Sequence, residues 1–217
     1  MIGEGIMNKI NTYNGVYEFS AIKLFHGRKT INRSICRDNL ITFKKILDRQ
    51  NIEFGIIFGT LLGAVRESNF IEYDEDVDVF ILEENKDIFL SILFELRDVG
   101  LNVVRYDSQL LSIMKDDDYI DIYFFKKNSI GKRTCLEFSI KSGCMESLVD
   151  INFLDTTFKT VNNYIDFLEY FYGKDWEMPK KYYHAKSNSF RAKIKMRIKT
   201  ILPKFIIDRI RKYKTND

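Results

Sequence analysis

Between residues 58 and 78 the chain reads Phe58-Gly59-Thr60-Leu61-Leu62-Gly63-Ala64-Val65-Arg66 and then, after a short interval, Asp74-Glu75-Asp76-Val77-Asp78. No other stretch of the sequence narrows the choice of folds as far. A small-residue turn that opens a helix presents unpaired backbone N–H groups and the positive end of the helix dipole. A tight run of carboxylates supplies oxygen ligands for a hard cation. Side by side, the two features are what handling a phosphate and its metal ion requires.

The residues after the acidic run read as a strand, Val77 to Leu82. Side chains alternate along a strand, so Asp76 and Asp78 project to one side while Val77, Val79 and Ile81 project into the core. Two carboxylates so placed can share Mg²⁺ or Mn²⁺ and leave positions open for substrate phosphates. A third acid interrupts the apolar run Tyr119-Ile120-Asp121-Ile122-Tyr123. A buried charge there is costly without a metal or partner, so Asp121 is expected to complete the metal triad or to accept the proton of an attacking hydroxyl. Gly59 and Thr60 are the candidate phosphate cradle, with Thr60 capping a short helix from Leu61 to Glu67. Arg66, at the end of that helix, either clamps phosphate oxygens or pairs with Glu67 or Glu72 on the surface. Taken alone, an acidic cluster is more often a solvated turn, and Gly-Thr before a helix is common.

The surrounding pattern predicts an amphipathic helix over Ser34 to Arg49, a short strand over Glu53 to Phe58, and a helix over Asp87 to Val99 stopped by Gly100. Strands are expected at Leu101 to Tyr106, Leu110 to Met114 and Tyr119 to Phe125, with Asp116-Asp117-Asp118 as the turn before the last. A further strand is expected at Thr134 to Ile140 and a final helix at Asn163 to Tyr172. Alternation in Tyr13 to Thr30 suggests an edge strand or hairpin. This order implies an α+β fold, a mixed sheet covered on one side by helices, with chemistry at one end of the sheet.

Forty-five per cent hydrophobic and 30% charged residues describe an ordinary globular chain and exclude wholesale disorder. Cys36, Cys135 and Cys144 lack the paired spacing of a zinc or redox motif, which fits a reducing compartment. No basic segment leads into an apolar run at the start, and no apolar stretch approaches the ~20 residues of a spanning helix. A cytoplasmic protein is expected.

Taken together, the motifs resemble the LicD family of the nucleotidyltransferase-like superfamily, which includes bacterial phosphocholine transferases and fukutin-type sugar phosphotransferases. The resemblance is carried by Phe58 to Arg66, Phe70-Ile71, Tyr73-Asp74-Glu75-Asp76-Val77-Asp78-Val79, the Tyr119-Ile120-Asp121-Ile122-Tyr123 strand, and Tyr172-Gly173-Lys174-Asp175-Trp176 with Pro179. It covers roughly residues 35 to 184. Two departures stand out: Ile71-Glu72-Tyr73 replaces the usual aromatic-Pro-Trp approach, and the middle acid is Glu75.

The resemblance implies a nucleotidyltransferase-like fold in which Gly59 and Thr60 hold phosphates, Asp76 and Asp78 bind Mg²⁺ or Mn²⁺, and Asp121 is the third acid. It also implies transfer of a phosphorylated small alcohol, phosphocholine or an alditol phosphate, from a CDP-linked donor to a hydroxyl of a cell-surface glycan. Asp74 joins Arg66 among the candidate substrate contacts. His184 either touches donor or acceptor or is a surface or packing residue. The alternatives are transfer of a nucleoside monophosphate to a small molecule or protein, and a non-catalytic membrane-associated partner. Nucleic acid is not an expected partner.

Three segments are expected: an N-terminal extension over 1–33, the catalytic domain over 34–189, and a tail over 190–217. From Arg191 onward ten Lys and Arg face Asp208 and Asp217, a net of +8, so residues 1 to 190 carry −5. Ile194, Ile198, Ile201, Phe205 and Ile206 recur at helical spacing among those cations, with Pro203 starting or kinking a helix. Such a basic amphipathic helix suits an anionic membrane at the inner face of the cell, or packs on its own domain or a partner.

Overall fold

The computed structural model describes residues 7–25 and 27–179. His184 and the basic tail 190–217 lie outside the described residues.

The chain opens with an antiparallel hairpin of β1 (Met7–Thr12) and β2 (Gly15–Ser20). β2 falls within the expected Tyr13 to Thr30 segment while its partner β1 precedes it, and the two form a two-stranded sheet of their own. Tyr17 and Phe19 alternate inward and are buried. The Tyr17 ring meets Phe94 edge-on at 5.2 Å and lies under the Arg97 guanidinium at 5.2 Å. Tyr17 thereby fixes the hairpin onto the helices that precede the central sheet's far edge.

Next comes α1 (Arg33–Arg49). The Asn32 side chain accepts hydrogen bonds from the N–H groups of Ser34 and Ile35, satisfying donors that a helix start leaves open. One face of α1 buries Cys36, Asn39, Leu40, Phe43, Ile46 and Leu47. Then follow β3 (Gly55–Ile56), α2 (Phe58–Glu67), β4 (Val77–Leu82), a 3-10 turn (Glu83–Asn85), α3 (Lys86–Ser91) and α4 (Leu93–Asp98). The strands β5 (Asn102–Tyr106), β6 (Leu110–Lys115) and β7 (Asp118–Lys127) complete the central sheet, in the order β3-β4-β7-β6-β5. Among the described strands only β4 and β7 run parallel, so the sheet is mixed. The end of β7 continues into a hairpin of β8 (Lys132–Cys135) and β9 (Phe138–Lys141). After α5 (Ser142–Glu146), a separate hairpin of β10 (Val149–Phe153) and β11 (Thr156–Thr160) leads to α6 (Tyr164–Tyr172).

Three expected elements differ. The helix expected over Asp87 to Val99 breaks at Ile92, whose ψ of 6° is not helical, into α3 and α4. The strand expected over Thr134 to Ile140 folds back at Leu136, φ 50°, into β8 and β9. Thr60 does not cap α2: the helix begins at Phe58, its N-cap is Ile57, and Thr60 lies inside it. The two-residue turn between β6 and β7 holds Asp116 and Asp117 at φ 52° and 65°, the left-handed pair that hairpin twist favours.

The sheet is covered on both faces, not one. On one side Phe89 bridges Phe43 of α1 (6.1 Å) and Phe124 of β7 (5.8 Å). On the other, Phe58 meets Tyr123 at 5.2 Å and Phe138 at 4.5 Å. The β10–β11 hairpin closes the β3 edge, where Thr160 Oγ1 donates to the Ile56 carbonyl at 2.9 Å. Val77 through Ile81 are all buried in consequence.

The chain divides after Tyr170. In the described part of the second unit, residues 171–179, Gly173 takes φ 95° and its carbonyl accepts from the Trp176 N–H at 3.0 Å. Among the described residues no helix is long and apolar enough to cross a membrane.

After α2 the chain doubles back on the helix so closely that a Cβ at Gly63 would meet the Asn69 carbonyl oxygen at 2.4 Å, whereas one at Gly143 meets nothing within 4 Å. Gly63→Ala is therefore expected to cost about 1–3 kcal/mol, and Gly143→Ala to be neutral or stabilising by up to ~1 kcal/mol, in urea unfolding midpoints.

Candidate functional site

Strand register, more than any loop, assembles the site. Along β7, Tyr119, Asp121 and Tyr123 share one face and Ile120, Ile122 and Phe124 the other. Asp121 stands opposite Asp78 of β4 on one side and Ser112 of β6 on the other, and Ser112 in turn opposes Arg105 of β5. Four polar residues thus form a row across four adjacent strands. The last owes its place to a β-bulge: the pairing of β5 with β6 slips between Val103 and Arg105, so Val104 is the extra residue. With an unbroken register Val104 would oppose Ser112, and Arg105 would face away from the acids.

The row is tightly bonded. One Arg105 Nη reaches both Asp121 carboxylate oxygens, at 2.7 and 2.6 Å, and Arg105 Nε donates to Ser112 Oγ at 2.8 Å. Ser112 Oγ donates to Asp121 Oδ1 at 2.5 Å. Asp121 is 3% exposed, so the guanidinium is the partner that a charge at this depth requires.

The start of α2 is fastened to Asp78. The Gly59 N–H donates to Asp78 Oδ2 at 3.1 Å, the Asp78 N–H donates to Thr60 Oγ1 at 2.8 Å, and the Ile57 N–H donates to the Asp78 carbonyl at 3.2 Å. Gly59 also leaves room for the acidic loop, since a Cβ there would lie 2.7 Å from Asp74 Oδ2. Phe58 enters the helix at φ 48°, a strained conformation for an aromatic residue, held by the rings of Tyr123 and Phe138. The loop itself is tied to the segment before α1: Glu75 Oε2 accepts from the Gly27 N–H at 2.7 Å, and the Asp74 carbonyl from the Ile31 N–H at 2.9 Å.

Burial pushes the Asp76 and Asp78 carboxyls well above the usual carboxylate range. The neighbouring Asp78 and Asp121 add to the effect at Asp76, as do Asp74 and Asp121 at Asp78. Asp74 is raised in the same way, by burial and then by Asp76. The Tyr119 hydroxyl beside Asp76, and the Gly59 N–H and Tyr123 hydroxyl beside Asp78, work in the opposite direction. Among the described residues no Lys or Arg pairs with Asp74, Asp76 or Asp78, and Asp74 Oδ2 is buried without a hydrogen-bond partner. An all-oxygen, electron-rich set of this kind, short of positive charge, fits a hard divalent cation. Its form differs from the expected triad: among the described residues no three His, Cys, Asp or Glu are placed to hold one metal ion, and Asp121 is engaged by Arg105. The fit is to a two-carboxylate site, Asp76 with Asp78.

Of the residues singled out from sequence, Gly59, Thr60, Asp74, Asp76, Asp78 and Asp121 come together. Gly59 and Thr60 bond to Asp78. Arg66 pairs with Glu67, with Nη2 to Oε1 at 2.6 Å, at the opposite end of α2. Arg105, Ser112, Tyr119 and Tyr123 were not legible as site residues. The tyrosines read as strand aromatics, and Arg105 depends on a bulge that alternation cannot reveal.

The family described as LicD/FKTN/FKRP, nucleotidyltransferase domain, matches residues 51–196. Human ribitol-5-phosphate transferase FKTN is 29% identical over 168 residues, 69% of this chain but 34% of that protein. The lipopolysaccharide cholinephosphotransferase LicD of Haemophilus influenzae is 31% identical over 61 residues, 28% of this chain and 23% of its own length. The chain therefore spans only a minor part of each of these relatives. Among solved structures, the solution structure of the antibiotic-resistance factor ANT(2'')-Ia matches with a TM-score of 0.50 and 12% identity, covering 79% of this chain and 86% of that one. That likeness is one of fold: a nucleotidyltransferase-like mixed sheet flanked by helices.

Because Asp74, Asp76, Asp78 and Asp121 repel one another, Asp76→Asn is expected to stabilise the metal-free protein by roughly 1 kcal/mol, a rise of about 2–4 °C in Tm by calorimetry in chelator. A fall in Tm would show that the acids do not destabilise one another.

Proposed function

The chain belongs to the LicD/FKTN/FKRP nucleotidyltransferase-domain family, and from that premise we propose that it is a metal-dependent phosphotransferase. It moves a phosphorylated small alcohol from a CDP-linked donor to a hydroxyl of a cell-surface glycan or its lipid-linked precursor. The observation that carries this reading is the register that sets Asp78 beside Asp121, with Asp76 one step before β4 and the start of α2 fastened alongside. The relatives' names support the transferred group, since ribitol 5-phosphate and cholinephosphate are both phosphate esters of small alcohols.

On this reading Asp76 and Asp78 hold Mg²⁺ or Mn²⁺, which when bound supplies positive charge to neutralise the donor's phosphate oxygens. The chain's own groups keep that pair in place. The Gly59 N–H and Tyr123 hydroxyl orient the Asp78 carboxylate, Thr60 and Ile57 fix its backbone, and the Tyr119 hydroxyl orients Asp76. Gly59 and Thr60 thus act through Asp78, and Asp74 closes the wall behind Gly59. In the transfer a bond forms from the acceptor oxygen to phosphorus and the bond to the cytidine monophosphate leaving group breaks. The hydroxyl proton passes to a carboxylate of this cluster. Residues 191–217 provide peripheral contact with an anionic membrane, where lipid-linked acceptors reside; their charge pattern supports this.

Asp78→Asn is expected to keep the far-ultraviolet circular dichroism of the wild type. It should lower cytidine monophosphate release, from a panel of CDP-linked donors with Mg²⁺ and candidate glycans, by at least about a hundredfold. Undiminished release would refute the site. A product that retains cytidine by mass spectrometry would replace phosphoalcohol transfer with nucleotidyl transfer.

A further inference from the structure

Among the described residues, the cation bonded on the acid face is Arg105, delivered there by the β5 bulge and bonded to both oxygens of Asp121. Its side chain is 27% exposed while that of Asp121 is 4% exposed, so the guanidinium approaches from the solvent side. Asp121 is the register partner of Asp78 on the neighbouring strand and therefore lies beside the proposed cation-binding pair. Both its oxygens are held by Arg105 and one also by Ser112, in keeping with the lack of a three-ligand group among the described residues.

Resting on the metal-dependent reading above, we infer that Arg105 is an internal counter-ion that competes with the divalent cation for Asp121. Without the cation, Arg105 neutralises Asp121, the more buried of the two acids in the row, and keeps the acids from driving one another apart. With the cation bound at Asp76 and Asp78, Asp121 turns to it and the guanidinium is released toward solvent. Ser112 sets the balance, because its hydroxyl accepts from Arg105 and donates to Asp121 at once. Arg105 is thus a positioning residue. Two requirements follow that a merely structural arginine does not meet together: its removal destabilises the metal-free fold, and its removal tightens cation binding.

Mn²⁺ binding to the full chain, followed by electron paramagnetic resonance without donor or acceptor, tests this. Arg105→Gln is expected to bind Mn²⁺ about tenfold more tightly than wild type, while its Tm in chelator falls. Arg105→Lys, which keeps the charge, should stay near wild type. Ser112→Ala is the gentler variant should Arg105→Gln not fold; it loosens the same clamp and should tighten Mn²⁺ binding about twofold to threefold. Binding that Asp78→Asn abolishes but that neither Arg105→Gln nor Ser112→Ala tightens would overturn the competition and leave the metal reading standing. No Asp78-dependent Mn²⁺ binding would overturn both.

Discussion

The parallel pairing of β4 with β7 is the constraint on which the rest of the molecule depends. Among the described residues it is the sheet's only parallel contact, and it sets two buried carboxylates, Asp78 and Asp121, directly side by side. Like charges at that depth repel and are poorly solvated, so the fold must hold them from every direction. Backbone N–H groups at the start of α2, the hydroxyls of Thr60, Tyr119, Tyr123 and Ser112, and the guanidinium of Arg105 do this. Among the described residues, none of these partners brings a positive charge to Asp76 or Asp78.

Local strain follows from the same placement. Phe58 adopts a left-handed backbone so that Gly59 can turn its N–H toward Asp78 while its missing side chain admits Asp74. The aromatic cluster of Phe58, Tyr123 and Phe138 holds that turn on the face where the acids lie. Packing and electrostatics here are one arrangement: the rings that bury β7 also carry a hydroxyl that orients the β4 carboxylate.

Much of this was legible in the sequence. Strand β4 falls where alternation places it, and the acids of 74–78 and Asp121 converge as their spacing implies, because burying alternate apolar residues leaves their neighbours no other face. What eluded the sequence depended on contacts between distant segments. Thr60 looks like a helix cap because its hydroxyl suits that role locally, but a β4 backbone amide claims it. Helix periodicity over 87–99 survives the break at Ile92, since both halves bury the same face. The segment before α1 gave no hint that Gly27 and Ile31 would anchor the acidic loop, because backbone donors leave no signature in side-chain pattern.

The single extra residue in β5 gives the strand a property that no substitution could. Ahead of Val104 the strand keeps its ordinary parity with β6, and after it the parity is inverted. The chemical character of the sheet's acid face is therefore encoded partly in where the ladder admits its unpaired residue. Pairing Val104 instead of bulging it would set an apolar side chain opposite Ser112 and turn Arg105 to the other face, with the sequence unchanged.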